Sequence, residues 1–273
     1  YIEYIDFRVL GILLSLMIVM AAFQENGFFD RVGKRLLKKT KNTRQLCTIL
    51  IGLCFFFSML ITNDVALITF VPFTMLIFIT CRQEELLIPV IVLQTIAANL
   101  GSMLTPVGNP QNLYLYNLGG FTLLEFIETM LPYSAISLVA IIVWMLMICR
   151  RNKKIEMGSE LDVARVDRTI VQKNAVYTIL FDLCLLVVLK VLPYYAVLIL
   201  VVVVTFIMDR EVLKKVDYSL IFTFTFFFIF TGNIGRLEIA HSWLQSIVSG
   251  RETIVGILVS QIISNVPATL LLS

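Results

Sequence analysis

Charge is what this chain has least of. Lys, Arg, Asp and Glu make up 15% of its 273 residues, while hydrophobic residues make up 59%. Soluble domains lie near 25% charged and 45–50% apolar, so a water-soluble globule is excluded and a membrane protein is indicated. Histidine is nearly absent: His241 stands alone, which excludes a histidine-built zinc centre. The five cysteines, Cys47, Cys54, Cys81, Cys149 and Cys184, form no CxxC pair and lie mostly inside apolar runs. They read as small apolar fillers rather than a disulfide or metal framework. No charged leader precedes the first apolar run, so no signal peptide is argued. The chain opens on Tyr1 and stops at Ser273 inside an apolar run, so truncation at both ends is expected.

What is present is a series of apolar runs: 7–23, 46–62, 65–80, 86–100, 127–149, 175–192, 194–208 and 219–231, with another beginning near Thr253. About 20 helical residues cross a hydrocarbon core near 30 Å. Run 127–149 is a comfortable span, whereas 46–62 and 65–80 are short and separated only by Asn63 and Asp64. The net charge of +3 comes from clusters: Asp30–Arg44 carries seven basic residues and Arg150–Lys173 seven more. Loops 30–45 and 150–173 are therefore expected on the cytoplasmic side of a bacterial-type plasma membrane. That placement sends the first run inward and makes 46–80 leave and return on one side. The span through "GSMLTPVGNPQN" then runs outward and 127–149 runs back.

A repeat emerges. "ITNDVALITFVP" (Ile61–Pro72) aligns without gaps on "ISNVPATLLLS" (Ile263–Ser273), pairing Asn63 with Asn265. Each is preceded by a helix ending in an Asn-Gly or Gly-Asn pair, at Gln24–Val32 and Phe230–Ile239. The two leading helices point in opposite directions, and inverted repeats mark secondary transporters. The expected fold is an all-α polytopic membrane protein. Residues 1–149 would form the first inverted repeat, with a re-entrant hairpin at about 46–80 and a broken helix at about 86–118. A cytoplasmic linker (150–174) and an incomplete second repeat (175–273) would follow.

The interruptions carry the chemistry. Thr62, Asn63 and Asp64 are helix-capping types between two apolar arms, so the second arm starts there with free amides. The expectation is a hairpin tip near mid-bilayer, tolerated only if buried or lining a cavity; two ordinary short spans are the alternative. Ser264, Asn265, Val266 and Pro267 would build the matching tip, with Pro267 in a first helical turn. Asp64 reads as a cation or proton carrier, or as a cap held by amides. Asp182, in "VYTILFDLCLLVVLK", is a second membrane carboxylate and a candidate coupling group. Lys190 near the outer end of that run is expected to snorkel. In "GSMLTPVGNPQN", Pro106 and Pro110 lack amide hydrogens and push Thr105 and Asn109 out of helical geometry, with Gly108 between. The helix must break near Thr105 and resume around Asn112. The break exposes carbonyls suited to a small cation, and amides with Asn109 and Asn112 side chains suited to an anion.

"TNDVALITFVP", "GSMLTPVGNPQN" and "SNVPATLLLS", in that order, resemble the ion transporter superfamily of divalent-anion/sodium symporters, citrate-transporter-like permeases and arsenite permeases. The resemblance implies Na+ and substrate-carboxylate binding at Thr62, Asn63, Asp64, Ser264 and Asn265. It implies the same for Thr105, Pro106, Gly108, Asn109 and Asn112 of the broken helix. It also implies an elevator-like movement and a homodimer. Asp64 stands where the symporters carry a neutral threonine, which disfavours an anion there and is closer to the arsenite permeases. The expectation is a permease for a small anion, a di- or tricarboxylate such as citrate or succinate, coupled to Na+ or H+. Its partners would be the lipid bilayer and the solute, not nucleic acid, and it would hold no cofactor beyond the coupling ion. The alternatives are an arsenite/antimonite-type permease, a Na+/H+ antiporter and an intramembrane aspartyl protease using Asp64 and Asp182. The protease reading lacks the Gly-x-Gly-Asp pattern, because Ile61, Thr62 and Asn63 precede Asp64.

Overall fold

In a computed structural model of the chain, residues 2–37, 40–150, 152–155, 167–236, 248–263, 265 and 268–269 are described. Among them the architecture is all-helical, without a β-strand. The helices are α1 (Phe7–Glu25), α2 (Phe28–Leu37), α3 (Thr43–Ile61), α4 (Asn63–Thr80), α5 (Leu87–Ser102) and α6 (Pro110–Leu118). They continue as α7 (Leu123–Ile148), α8 (Arg168–Val188), α9 (Tyr194–Lys214), α10 (Tyr218–Arg236) and α11 (Glu252–Ile263). Five apolar stretches among the described residues are long enough to cross a membrane: α1, α3, Glu84–Ser102, α7 and α8.

Local chemistry sets the starts. The Asp6 carboxylate accepts from the amides of Arg8 and Val9, each at 3.0 Å, and opens α1. Asn42 accepts from Gln45 N at 2.9 Å and opens α3. A capping box opens α7, where Thr122 Oγ1 accepts from Glu125 N and Glu125 Oε2 accepts from Thr122 N at 2.8 Å. The cap at Asn42 starts α3 three residues before its apolar run, so α3 has 19 residues and α4 has 18. Length alone therefore does not stop α3 from crossing, contrary to the count of apolar residues. The basic stretch 30–44 is also not all loop. Its first part is the amphipathic helix α2, pinned by Phe29, which meets Phe23, Phe57 and Phe70 edge-on.

The basic segments collect on one face. Thr43 N donates to Lys153 O at 3.0 Å, Ile155 N to Lys41 O at 3.1 Å, and Arg44 N to Asn152 Oδ1 at 3.2 Å. Lys173 pairs with Asp209 at 2.7 Å, beside a kink in α9 at Asp209, and Lys215 pairs with Glu25. The opposite face carries the α6–α7 and α8–α9 turns. There Arg8 Nη2, at the start of α1, donates to Val187 O at the end of α8.

α3 and α4 form an antiparallel hairpin with α5 packed against both. Close approach of α5 to α3 requires glycine at 101, because a Cβ there would lie 2.1 Å from Phe55 O. Gln94, fully buried, ties the arms together by donating to Leu50 O at 3.1 Å and to Thr74 Oγ1 at 2.8 Å. Gln94→Leu removes both bonds and is expected to cost about 1–2 kcal/mol, read as a lower melting temperature of the purified protein.

By helix length the α3 arm is shorter than the matching part of α7. α3 and α7 are level where Thr48 Oγ1 meets Met145 Sδ at 3.8 Å. From that level α3 rises about 21 Å to Thr62, whereas α7 covers about 33 Å to Leu123. α6, starting beside the tip, continues for about 14 Å more.

Candidate functional site

The gap between α5 and α6 is held open by its own side chains. α5 stops at Ser102, residues 103–109 are not helical, and Pro110 restarts the chain under the Asn109 cap. The break therefore lies a few residues earlier than the prolines and Asn112 suggest, because Asn109 Oδ1 accepts from Asn112 N at 2.9 Å and starts α6 itself. Stopping a helix strands carbonyls in a buried place. One amide answers three of them: Asn112 Nδ2 donates to Ser102 O at 3.3 Å, to Met103 O at 3.0 Å and to Thr105 O at 3.0 Å. Asn109 Nδ2 donates to Ser102 Oγ at 3.2 Å. Both asparagines are buried and committed to the chain itself. They shape the gap through these bonds, and Asn109 also lines the pocket described next. Pro106 and Gly108 are buried with them, and Gly108 passes so close to Ser102 that a Cβ would lie 2.0 Å from its carbonyl oxygen.

The hairpin tip docks into this gap. Thr62 is its only non-helical residue, with φ 71° and ψ 151°. A positive φ on a β-branched residue is costly backbone and is kept where surroundings enforce it. They do so here: Asn63 N donates to Gly108 O at 3.2 Å, and Asn63 Nδ2 to Asn99 Oδ1 at 3.1 Å. Thr105 Oγ1 donates to Met59 O, one turn below the tip. Thr62, Asn63, Asp64, Thr105, Pro106, Gly108, Asn109 and Asn112 thus converge as one unit.

Beside the unit is a pocket of about 120 Å³, lined by Thr62, Asp64, Asn109 and Pro110, by Met17 and its neighbours on α1, and by Asp217. The Thr62 side chain makes no cap bond, so the first turn of α4 presents Asp64 as its acidic group. Asp217 sits at the start of α10, where its Oδ1 accepts from Ser219 N at 3.0 Å. Two carboxylates on one largely apolar cavity attract a cation and repel an anion. Among the described residues no group of three or more His, Cys, Asp or Glu side chains is placed to hold a metal ion.

The remaining sequence candidates lie elsewhere. Asp182 is exposed on α8 and lines none of this pocket. Asn265 is helical and exposed beyond α11, and Ser264 lies outside the described residues. The sequence reading passed over Gln94, Asn99, Ser102 and Asp217. The first three were signalled by amides and a hydroxyl inside the apolar run "LQTIAANLGS". Asp217 gave no sign, because only packing brings it to Asp64.

Comparison with known proteins places this geometry. A family model described as "Citrate transporter" matches residues 1–273. An uncharacterized transporter of Methanocaldococcus jannaschii is 33% identical over 271 residues, 98% of this chain and 72% of that protein. Inner membrane protein YbiR of Escherichia coli is 27% identical over 284 residues, 98% of this chain and 71% of that protein. Silicon efflux transporter LSI3 of rice (Oryza sativa subsp. japonica) is 27% identical over 128 residues, 47% of this chain and 26% of that protein.

Proposed function

The chain belongs to the citrate transporter family and is an integral membrane transporter rather than an enzyme, and from this premise we propose that it is a secondary permease for a small anion, a di- or tricarboxylate, coupled to Na+ or H+. One observation carries the reading: a polar hairpin tip docked by three hydrogen bonds into the gap of a broken helix. Backbone without helical partners is tolerated at membrane depth where it lines a solute cavity. The solute binds where Thr62 and Asn63 meet the break, with Asn109 and Asn112 keeping the break in shape. Asp64 takes the coupling cation or proton.

A re-entrant hairpin is supported by the tip's shortfall against α6 and α7. The inverted repeat is supported by the match of Ile61–Pro72 to Ile263–Ser273, which pairs Asn63 with Asn265. The clustered basic loops favour that face as the cytoplasmic one in a plasma membrane. Ser264 and Asn265 would supply the second tip, and an elevator-like movement, with or without a homodimer, would carry the site across.

A second reading has its own support. The Asp64–Asp217 pair disfavours a multiply charged anion at the tip, and a relative carries the name of a silicon transporter. An uncharged metalloid acid, of the arsenite/antimonite kind, exchanged for protons fits that pair; a Na+/H+ antiporter would need no anion at all. Uptake of labelled citrate, succinate and arsenite into proteoliposomes holding the full-length protein separates them. We expect citrate or succinate accumulation driven by a Na+ or pH gradient. Gradient-driven arsenite flux without carboxylate flux supports the second reading, and no flux of any solute defeats both.

A further inference from the structure

On the face opposite the basic loops, Arg8 and Lys190 stand side by side without carboxylate partners among the described residues. Arg8 Nη2 donates to Val187 O at 3.3 Å, while its Nε is buried with no partner. The same carbonyl accepts the backbone amide of Lys190 at 3.0 Å, which brings the two residues side by side. Lys190 Nζ lies 5.2 Å from the centroid of the Tyr116 ring and reaches Phe121 O at 3.4 Å. The Asp6 carboxylate is close in sequence, but its Oδ1 caps the amides of Arg8 and Val9.

Backbone geometry adds a second observation. Lys190 follows α8 with φ 63°, a left-handed position that glycine usually fills after a helix. A lysine kept there holds its ammonium over the Tyr116 ring of α6. Lys190 remains exposed, next to a guanidinium whose Nε–H has no partner among the described residues. A guanidinium from α1 and an ammonium just after α8, brought together at the Val187 carbonyl and beside the Tyr116 ring, make a donor set for an oxyanion.

We propose that Arg8 and Lys190, the latter steadied by the Tyr116 ring, form an oxyanion-docking site in which a soluble di- or tricarboxylate is held before it reaches the hairpin tip. This rests on the carboxylate reading above and adds to it where the substrate is first recognised. The arrangement divides the charges: cations at the outer rim gather the anion, and the carboxylates beside the tip serve the coupling cation. It also discriminates by charge, since an uncharged metalloid acid gains little from two cations.

The test uses the full-length protein in liposomes of phosphatidylcholine alone, with initial rates of labelled citrate uptake measured against concentration at low and high salt. Lys190→Gly keeps the backbone conformation and removes the charge; Lys190→Arg keeps the charge. Expected is a KM raised about tenfold in Lys190→Gly with kcat little changed, a flatter salt dependence, and recovery in Lys190→Arg. An unchanged KM and salt dependence in Lys190→Gly overturns the proposal. So does a defect that appears only when anionic lipid is added, because a headgroup phosphate is then the occupant. Should the wild type carry no carboxylate, the function fails separately and docking is read by thermal shift with citrate. Stabilisation of the wild type but not of Lys190→Gly supports the site, and stabilisation of neither overturns it.

Discussion

Gly108→Ala is expected to abolish transport and to lower the melting temperature of the purified protein. A methyl group at 108 would sit 2.0 Å from the Ser102 carbonyl oxygen, and the obstacle is backbone rather than a movable side chain. Relief requires the break to widen. Widening draws Asn112 Nδ2 away from the carbonyls of Ser102, Met103 and Thr105 together, and shifts the Gly108 carbonyl that receives Asn63 N. Overpacking of this kind costs about 1–3 kcal/mol, and lost bonds to buried carbonyls add to it. The contrast is Gly52→Ala on α3, where a Cβ meets nothing within 4 Å. That substitution is expected to leave uptake and melting unchanged. If Gly108→Ala transports as the wild type does, the close-packed break is not what holds the site together.

Asp64→Asn is the second large effect. Asn keeps a polar group in the first turn of α4 but removes the charge, so the fold should survive while the cation or proton loses its carrier. Gradient-driven uptake is expected to fall by at least about a hundredfold, the scale of losing one strong ion contact of about 3 kcal/mol. Exchange of labelled for unlabelled solute, which needs no net cation movement, should fall far less. Asp217→Asn removes the neighbouring charge and should shift the cation dependence without abolishing uptake. Equal uptake by Asp64→Asn and the wild type under a gradient reduces Asp64 to a helix-end group.

Much of this was legible in the chain. Low charge and the spacing of apolar runs gave an all-helical membrane protein, and the basic clusters gave loops that share one face. "TND" and "TPVGNP" named the two interruptions, since proline and capping residues act locally and need no knowledge of packing. Roles inside the break were less legible. The bonds of Asn109 and Asn112 inside the break are an example, because sequence shows which groups can hydrogen-bond but not which carbonyls a break has stranded beside them. α3 begins at Thr43, ahead of its apolar run, because a polar cap at Asn42 rather than hydropathy decides where the helix begins. Asp217 and the pairing of Arg8 with Lys190 depend on contacts between distant segments.

Equilibrium binding tests the central claim, that the solute is held where the hairpin tip meets the broken helix. Labelled citrate is titrated onto the purified full-length protein with and without Na+, at two pH values, in the wild type, Asn63→Ala and Asp182→Asn. Asn63 Nδ2 bridges to Asn99 at the tip, whereas Asp182 is exposed on α8. The account predicts cation- or proton-dependent binding that weakens by about tenfold or more in Asn63→Ala and is unchanged in Asp182→Asn. Binding that is indifferent to Asn63 and lost with Asp182 would contradict it.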